Sequence, residues 1–124
     1  MREGHSSLKI LVAEDDFYGA EMCKSALESN GHEVLVTHDG QECLRQYREG
    51  SYDVVILDYK LPVFDGLKVA KQMLLSNPEQ RIIFLSAFAT EVLADAMEEL
   101  NMVVEVLPKP FEPDALVEVV ENSP

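Results

Sequence analysis

Five short runs rich in apolar and β-branched residues, at 8–13, 33–37, 53–57, 81–85 and 103–107, alternate with segments whose apolar residues recur three and four positions apart. Such alternation with short links predicts a parallel sheet. Right-handed crossovers must lay each helix over one face or the other, so the expected class is α/β, a doubly wound (βα)5 sandwich of three layers. The first, third and fourth runs are almost continuously apolar, as strands covered on both faces require. The second, bracketed by His32 and His38, reads as an edge.

The intervening segments carry helical stripes. Ala20, Cys23 and Leu27 form one, Cys43, Leu44 and Tyr47 a second, and Leu67, Ala70, Met73 and Leu74 a third. Val92, Leu93, Ala96, Met97 and Leu100 make the fourth, and Ala115, Leu116, Val119 and Val120 the fifth. Gly31 and Gly50 fall where helices should close on a left-handed residue, Asp39-Gly40 makes a turn, and Pro113 suits a first helical position. With 124 residues the chain holds one core, expected over 8–121, with 1–7 and 122–124 as tails. Cys23 and Cys43 have no C-x-x-C partner and read as buried, reduced thiols, the methionines as mostly core, and His5, His32 and His38 as surface residues.

Charge excludes several functions. Ten Lys and Arg against 23 Asp and Glu leave a net of −13, which repels phosphate backbones and anionic membranes, so direct nucleic-acid or membrane binding is not expected. No apolar run reaches the roughly 18 to 20 residues of a membrane span and the first residues lack a signal peptide's hydrophobic stretch, so a cytoplasmic location is expected.

In doubly wound sheets ligands bind beyond the carboxyl ends of the strands. There the sequence places Glu14, Asp15 and Asp16 after the first run, Asp58 after the third, Ser86 after the fourth and Lys109 shortly after the fifth. Carboxylates gathered this way raise one another's pKa unless a positive charge intervenes. Mg²⁺ (or Mn²⁺) would supply it, being a hard ion that takes one or two carboxylates, waters and a phosphate oxygen. Lys109 adds a point charge for a phosphate and Ser86 a hydroxyl donor. Together they form a set for phosphoryl transfer, in which positioning and charge neutralisation do most of the work. Asp16 is better read as a helix cap.

Ile10-Leu11-Val12-Ala13-Glu14-Asp15, Val54-Val55-Ile56-Leu57-Asp58 with Leu61-Pro62 and Asp65-Gly66, Phe84-Leu85-Ser86-Ala87 and Lys109-Pro110-Phe111 come in that order, each at an expected strand end. In these four motifs the chain resembles the receiver domain of two-component response regulators. The resemblance implies the flavodoxin-like strand order 2-1-3-4-5. It implies that Asp58 accepts a phosphoryl group from a phosphohistidine of a sensor histidine kinase or a histidine phosphotransfer protein. Glu14, Asp15, Asp58 and the backbone carbonyl of Lys60 would hold the metal; Ser86 and Lys109 would each bond a phosphoryl oxygen, with a cis peptide before Pro110. Such a domain is a signalling element that catalyses only its own phosphorylation and dephosphorylation.

The chain departs from the family pattern in three places. Val106 stands where the family usually has an aromatic ring that changes rotamer, so signalling is expected to run through backbone and helix shifts around the fourth helix. Lys60 puts a long cation two residues after the acceptor, and Asn101-Met102 replaces a common Gly-Ala. Rival readings fare worse. A phosphatase or nucleotide-binding enzyme lacks a G-x-G-x-x-G, a Walker loop, a nucleophile elbow or a D-x-D pair. A receiver fold that is never phosphorylated would not need the complete set of acceptor, acids, hydroxyl and lysine. The charge is lopsided: residues 87–124 hold nine acids and one base, Lys109. No symmetric dimer through the fourth-helix to fifth-helix face is therefore expected, and any partner there should be basic.

Overall fold

The computed structural model describes residues 7–122. Five strands alternate with five helices: β1 (Lys9–Ala13), α1 (Phe17–Glu28), β2 (Glu33–Thr37), α2 (Gly40–Glu49), β3 (Val54–Asp58), α3 (Gly66–Ser76), β4 (Arg81–Ser86), α4 (Ala89–Leu100), β5 (Glu105–Pro108) and α5 (Pro113–Glu121). The sheet is parallel throughout, in the order β2-β1-β3-β4-β5. β2 is an edge, as its flanking polar residues suggested.

Side chains alternate across each strand and so divide the core in two. Leu11, Ala13, Val55, Leu57, Ile82 and Phe84 face Cys43 and Leu44 of α2, Val69, Ala70 and Met73 of α3, and Val92 of α4. Ile10, Val12, Val54, Ile56, Ile83 and Leu85 face Cys23 and Leu27 of α1 and Leu116, Val117 and Val120 of α5. Each fully buried aliphatic or aromatic side chain contributes roughly 1.5–3 kcal/mol, so the two layers together carry the fold. Both thiols lie inside them, and burial pushes Cys23 and Cys43 up to about 12. Iodoacetamide at neutral pH should therefore modify neither cysteine in the native protein and both in denaturant, measured by intact mass; rapid native labelling would contradict this packing.

Several expectations need correction. β5 begins two residues later than the apolar run, because the register with β4 starts at Ile83 opposite Glu105 and leaves Val103 exposed. Gly31 closes α1 with φ 89, whereas Gly50 has extended backbone at φ −139. Its need for glycine is spatial, since an added Cβ would stand 3.0 Å from the Tyr52 ring. At α4 the left-handed cap is Asn101, at φ 54, the position where the family commonly has Gly.

His32 is buried rather than at the surface: Nδ1 accepts the Leu8 N–H at 3.1 Å and Nε2 meets Glu121 Oε2 at 2.9 Å, tying β2 to α5. His38 is exposed, and His5 lies outside the described residues. Met73 is core, but Met97 and Met102 are exposed. The acidic segment also finds a second base. The guanidinium of Arg81, at the start of β4, grips Glu105 through two bonds of 2.9 and 2.8 Å. It also donates to the carbonyls of Val119 and Val120 at 2.7 Å, where a cation complements the helix dipole.

Among the described residues no helix is long and apolar enough to cross a membrane.

Candidate functional site

Register brings the site together. Ala13 pairs with Leu57 and Asp58 with Leu85, so Glu14, Asp58 and Ser86 end neighbouring strands at the same edge of the sheet. Ser86 in turn pairs with Pro108, which delivers Lys109 to that edge. The Lys109 N–H donates to the Ser86 carbonyl at 2.8 Å, and the Lys109-Pro110 peptide is cis.

Glu14 is almost fully buried at 3% exposure and is held from three sides. Its N–H donates to the Thr37 carbonyl, its own carbonyl accepts from His38 Nδ1 at 3.0 Å, and Oε2 accepts the Asp16 N–H at 3.1 Å. Asp16 caps α1 through the Gly19 N–H at 2.7 Å, as expected of it. Asp58 is buried at 8%; Oδ1 accepts the Lys60 N–H at 3.3 Å. Asp15 is exposed beside them. One carboxylate oxygen from each of Glu14, Asp15 and Asp58 lies within 4.8 Å of the others.

Lys109 bridges the two buried acids, its Nζ donating to Glu14 Oε1 at 2.9 Å and Asp58 Oδ2 at 3.1 Å. Burial opposes its charge, but those two bonds outweigh burial and leave the ammonium above its ordinary pKa. Glu14 is pushed up, by burial first and then by Asp58, with Lys109 pulling the other way. One ammonium thus faces three carboxylates, and the pocket carries surplus negative charge. An all-oxygen donor set of this kind fits a hard divalent cation rather than a soft one.

Ser86 is buried at the same edge, and its Oγ accepts the Phe88 N–H at 2.9 Å. That acceptor role leaves the hydroxyl proton to be offered elsewhere. The Lys60 ammonium lies over the Phe88 ring, 5.4 Å from its centroid. Two participants escaped sequence reasoning. His38 is exposed, as expected, but its position directly after β2 also sets it at the same edge as the acids, where Nδ1 donates to the Glu14 carbonyl. Tyr59, next to Asp58, reaches α4 through a hydrogen bond to Asp95.

The response regulator receiver domain model matches residues 10–121. ArcB of Escherichia coli (strain K12), an aerobic respiration control sensor protein, is 32% identical over 117 residues. That match covers 94% of this chain and 15% of ArcB, so the chain spans only a small part of this relative. The chemotaxis protein CheY of Listeria monocytogenes is 28% identical, with 94% of this chain and 98% of CheY covered. Among solved structures, the Francisella response regulator 1452 receiver domain superimposes with a TM-score of 0.82 at 33% identity, over 92% of this chain and 93% of that one. CheY4 of Vibrio cholerae shares the fold, with a TM-score of 0.84 at 24% identity, over 93% of this chain and 97% of that one. A family match across nearly all of the chain, on a fold of the same strand order and with its acids at the same sheet edge, makes this chain a member of the response regulator receiver domain family.

Proposed function

We propose that the chain is the phosphoacceptor of a two-component phosphorelay and that the Asp58 carboxylate takes the phosphoryl group from a phosphohistidine of a sensor kinase or histidine phosphotransfer protein. The observation that carries this reading is the juxtaposition of three carboxylates and one ammonium at a single sheet edge. An Asp58 oxygen attacks phosphorus in line while the P–N bond breaks, and the imidazole keeps the electron pair and takes up a proton as it leaves. Lys109 leans from Asp58 toward the incoming oxygens, and the Ser86 hydroxyl donates its proton to another. Glu14, Asp15, Asp58 and the Lys60 carbonyl are the groups that would hold Mg²⁺. When bound, that ion offsets the carboxylates' mutual repulsion and the charge of the transferred group.

Surplus negative charge is what makes the reaction metal-dependent. Incubation with acetyl phosphate and Mg²⁺ should add one phosphoryl mass to the protein, and chelation with EDTA should remove the gain. Equal uptake without divalent ions would overturn the metal assignment.

The output face follows from the charge. Arg81, from outside residues 87–121, joins Lys109 as a basic contact of that segment, but it is consumed by Glu105 and the end of α5. Glu91, Glu98 and Glu99 of α4 and Asp114 and Glu118 of α5 remain exposed. A symmetric dimer through this face would oppose like charges, so a basic partner is favoured there.

A further inference from the structure

α4 is lightly anchored: it buries Val92 and Ala96, where each of the other helices buries three or four residues. Its N-cap, Phe88, provides no side-chain cap. Among the described residues no ion pair joins it to another element. A side chain from the acceptor loop does reach it.

Tyr59 follows Asp58 directly, and its main chain is pinned on both sides. The N–H donates to the Leu85 carbonyl at 2.9 Å and the carbonyl accepts the Gly66 N–H at 2.9 Å. Gly66 sits so close that an added Cβ would stand 2.5 Å from the Asp58 carbonyl oxygen and 3.0 Å from the Tyr59 Cα. The phenol ring packs edge-on against Phe84, with centroids 5.9 Å apart. From that fixed base the hydroxyl donates to Asp95 Oδ2, at 2.5 Å, in the middle of α4. A stiff arm therefore runs from the residue beside the acceptor to the helix with the fewest other holds.

We propose that Tyr59 and Asp95 form a latch that holds α4 in its resting position, and that attachment of a phosphoryl group to Asp58 releases it; this rests on the phosphoacceptor reading above. Phosphorylation converts the carboxylate to an acyl phosphate, shifts the negative charge onto the phosphoryl oxygens and brings new acceptors that compete for the Lys60 N–H now bonded to Asp58 Oδ1. Tyr59 lies between those two residues, so a turn of either flanking peptide moves its ring base and lengthens the bond to Asp95. Burial, and then Asp95 itself, raise the phenol above its ordinary pKa, so it stays a donor at neutral pH. Phe88 gives the loop a second hold on the start of the helix, through the Lys60 ammonium.

Amide hydrogen exchange on the full chain tests the latch, with beryllofluoride and Mg²⁺ as the phosphoryl stand-in; a DrrB receiver domain activated by BeF3 is a structural neighbour. Without the stand-in, amides of 89–100 should exchange roughly fivefold faster in Tyr59→Phe than in wild type, the factor given by a coupling at the low end of the usual range. Sheet amides should not change. Asp95→Ala should match Tyr59→Phe, and the double variant should go no further. Beryllofluoride should accelerate α4 exchange in wild type and add little in Tyr59→Phe. Identical α4 exchange in wild type and Tyr59→Phe, or the same beryllofluoride increment in both, would sink the latch. Phosphoryl uptake from acetyl phosphate separates the two ideas: normal uptake with an unchanged α4 defeats the latch alone, whereas no uptake by wild type defeats the phosphoacceptor reading.

Discussion

Asp58→Asn takes up no phosphoryl group from acetyl phosphate, and in the absence of Mg²⁺ it unfolds at a higher temperature than wild type. The first effect is all or none, because an amide oxygen lacks the charge of the attacking carboxylate and no other acid of the cluster ends β3 in line with Ser86 and Lys109. The second follows from the charge balance. Glu14 is raised partly by Asp58, so the two acids repel across a buried site that holds one ammonium. Asparagine keeps the size and an acceptor oxygen for Lys109 while removing that repulsion. A gain of about 1 kcal/mol is expected, or about 4 °C in Tm for a domain of this size. Mg²⁺ should shrink the difference, since it binds and stabilises the wild-type cluster more strongly. Thermal melts with EDTA and with Mg²⁺ check both signs.

Lys109→Met moves stability the other way. Glu14 and Asp58, at 3% and 8% exposure, would lose the cation that bonds both of them, while methionine retains most of the apolar stem. Breaking a fully buried pair by removing one partner costs about 3–5 kcal/mol. The Lys109 side chain is 32% exposed, so water screens part of the loss and about 2 kcal/mol is expected, close to 8 °C in Tm. Saturating Mg²⁺ should recover much of it, because the ion replaces the missing positive charge. A Lys109→Met protein as stable as wild type in EDTA would show that the ammonium is not balancing the acids.

The layers and the sheet edge were legible because their signals are local. Val54 to Leu57 are buried on both faces and read as one apolar run, and register then sets neighbouring strand ends side by side whatever the loops do. Glu14, Asp58 and Ser86 could be placed from the sequence for that reason. What was missed depends on distant partners. His32 is buried because Glu121, 89 residues away, comes to meet it. Arg81 lies outside the acidic segment but reaches it, since parallel pairing puts the start of β4 beside β5. Tyr59 reads as an ordinary loop aromatic until the fold brings Asp95, 36 residues on, within reach of its hydroxyl. Met97 carries a core-like helical spacing, yet it sits on the flank of a helix that buries a narrow stripe, and Met102 lies just past the end of that helix.

The identity of the phosphorylated side chain is the central claim, and reductive trapping reads it directly. An aspartyl phosphate is an acyl phosphate, which borohydride reduces to homoserine, while phosphoserine and phosphotyrosine are left alone. Wild-type protein treated with acetyl phosphate and Mg²⁺, reduced and mapped by peptide mass spectrometry, should carry homoserine at position 58 and at no other acid, with none formed in EDTA. Homoserine at Glu14 or Asp15 would not arise from this mechanism, since reduction of a glutamyl phosphate gives a different alcohol and Asp15 is assigned to the metal; a reduced residue at any position other than 58, or a phosphorylated protein with none, would contradict the account.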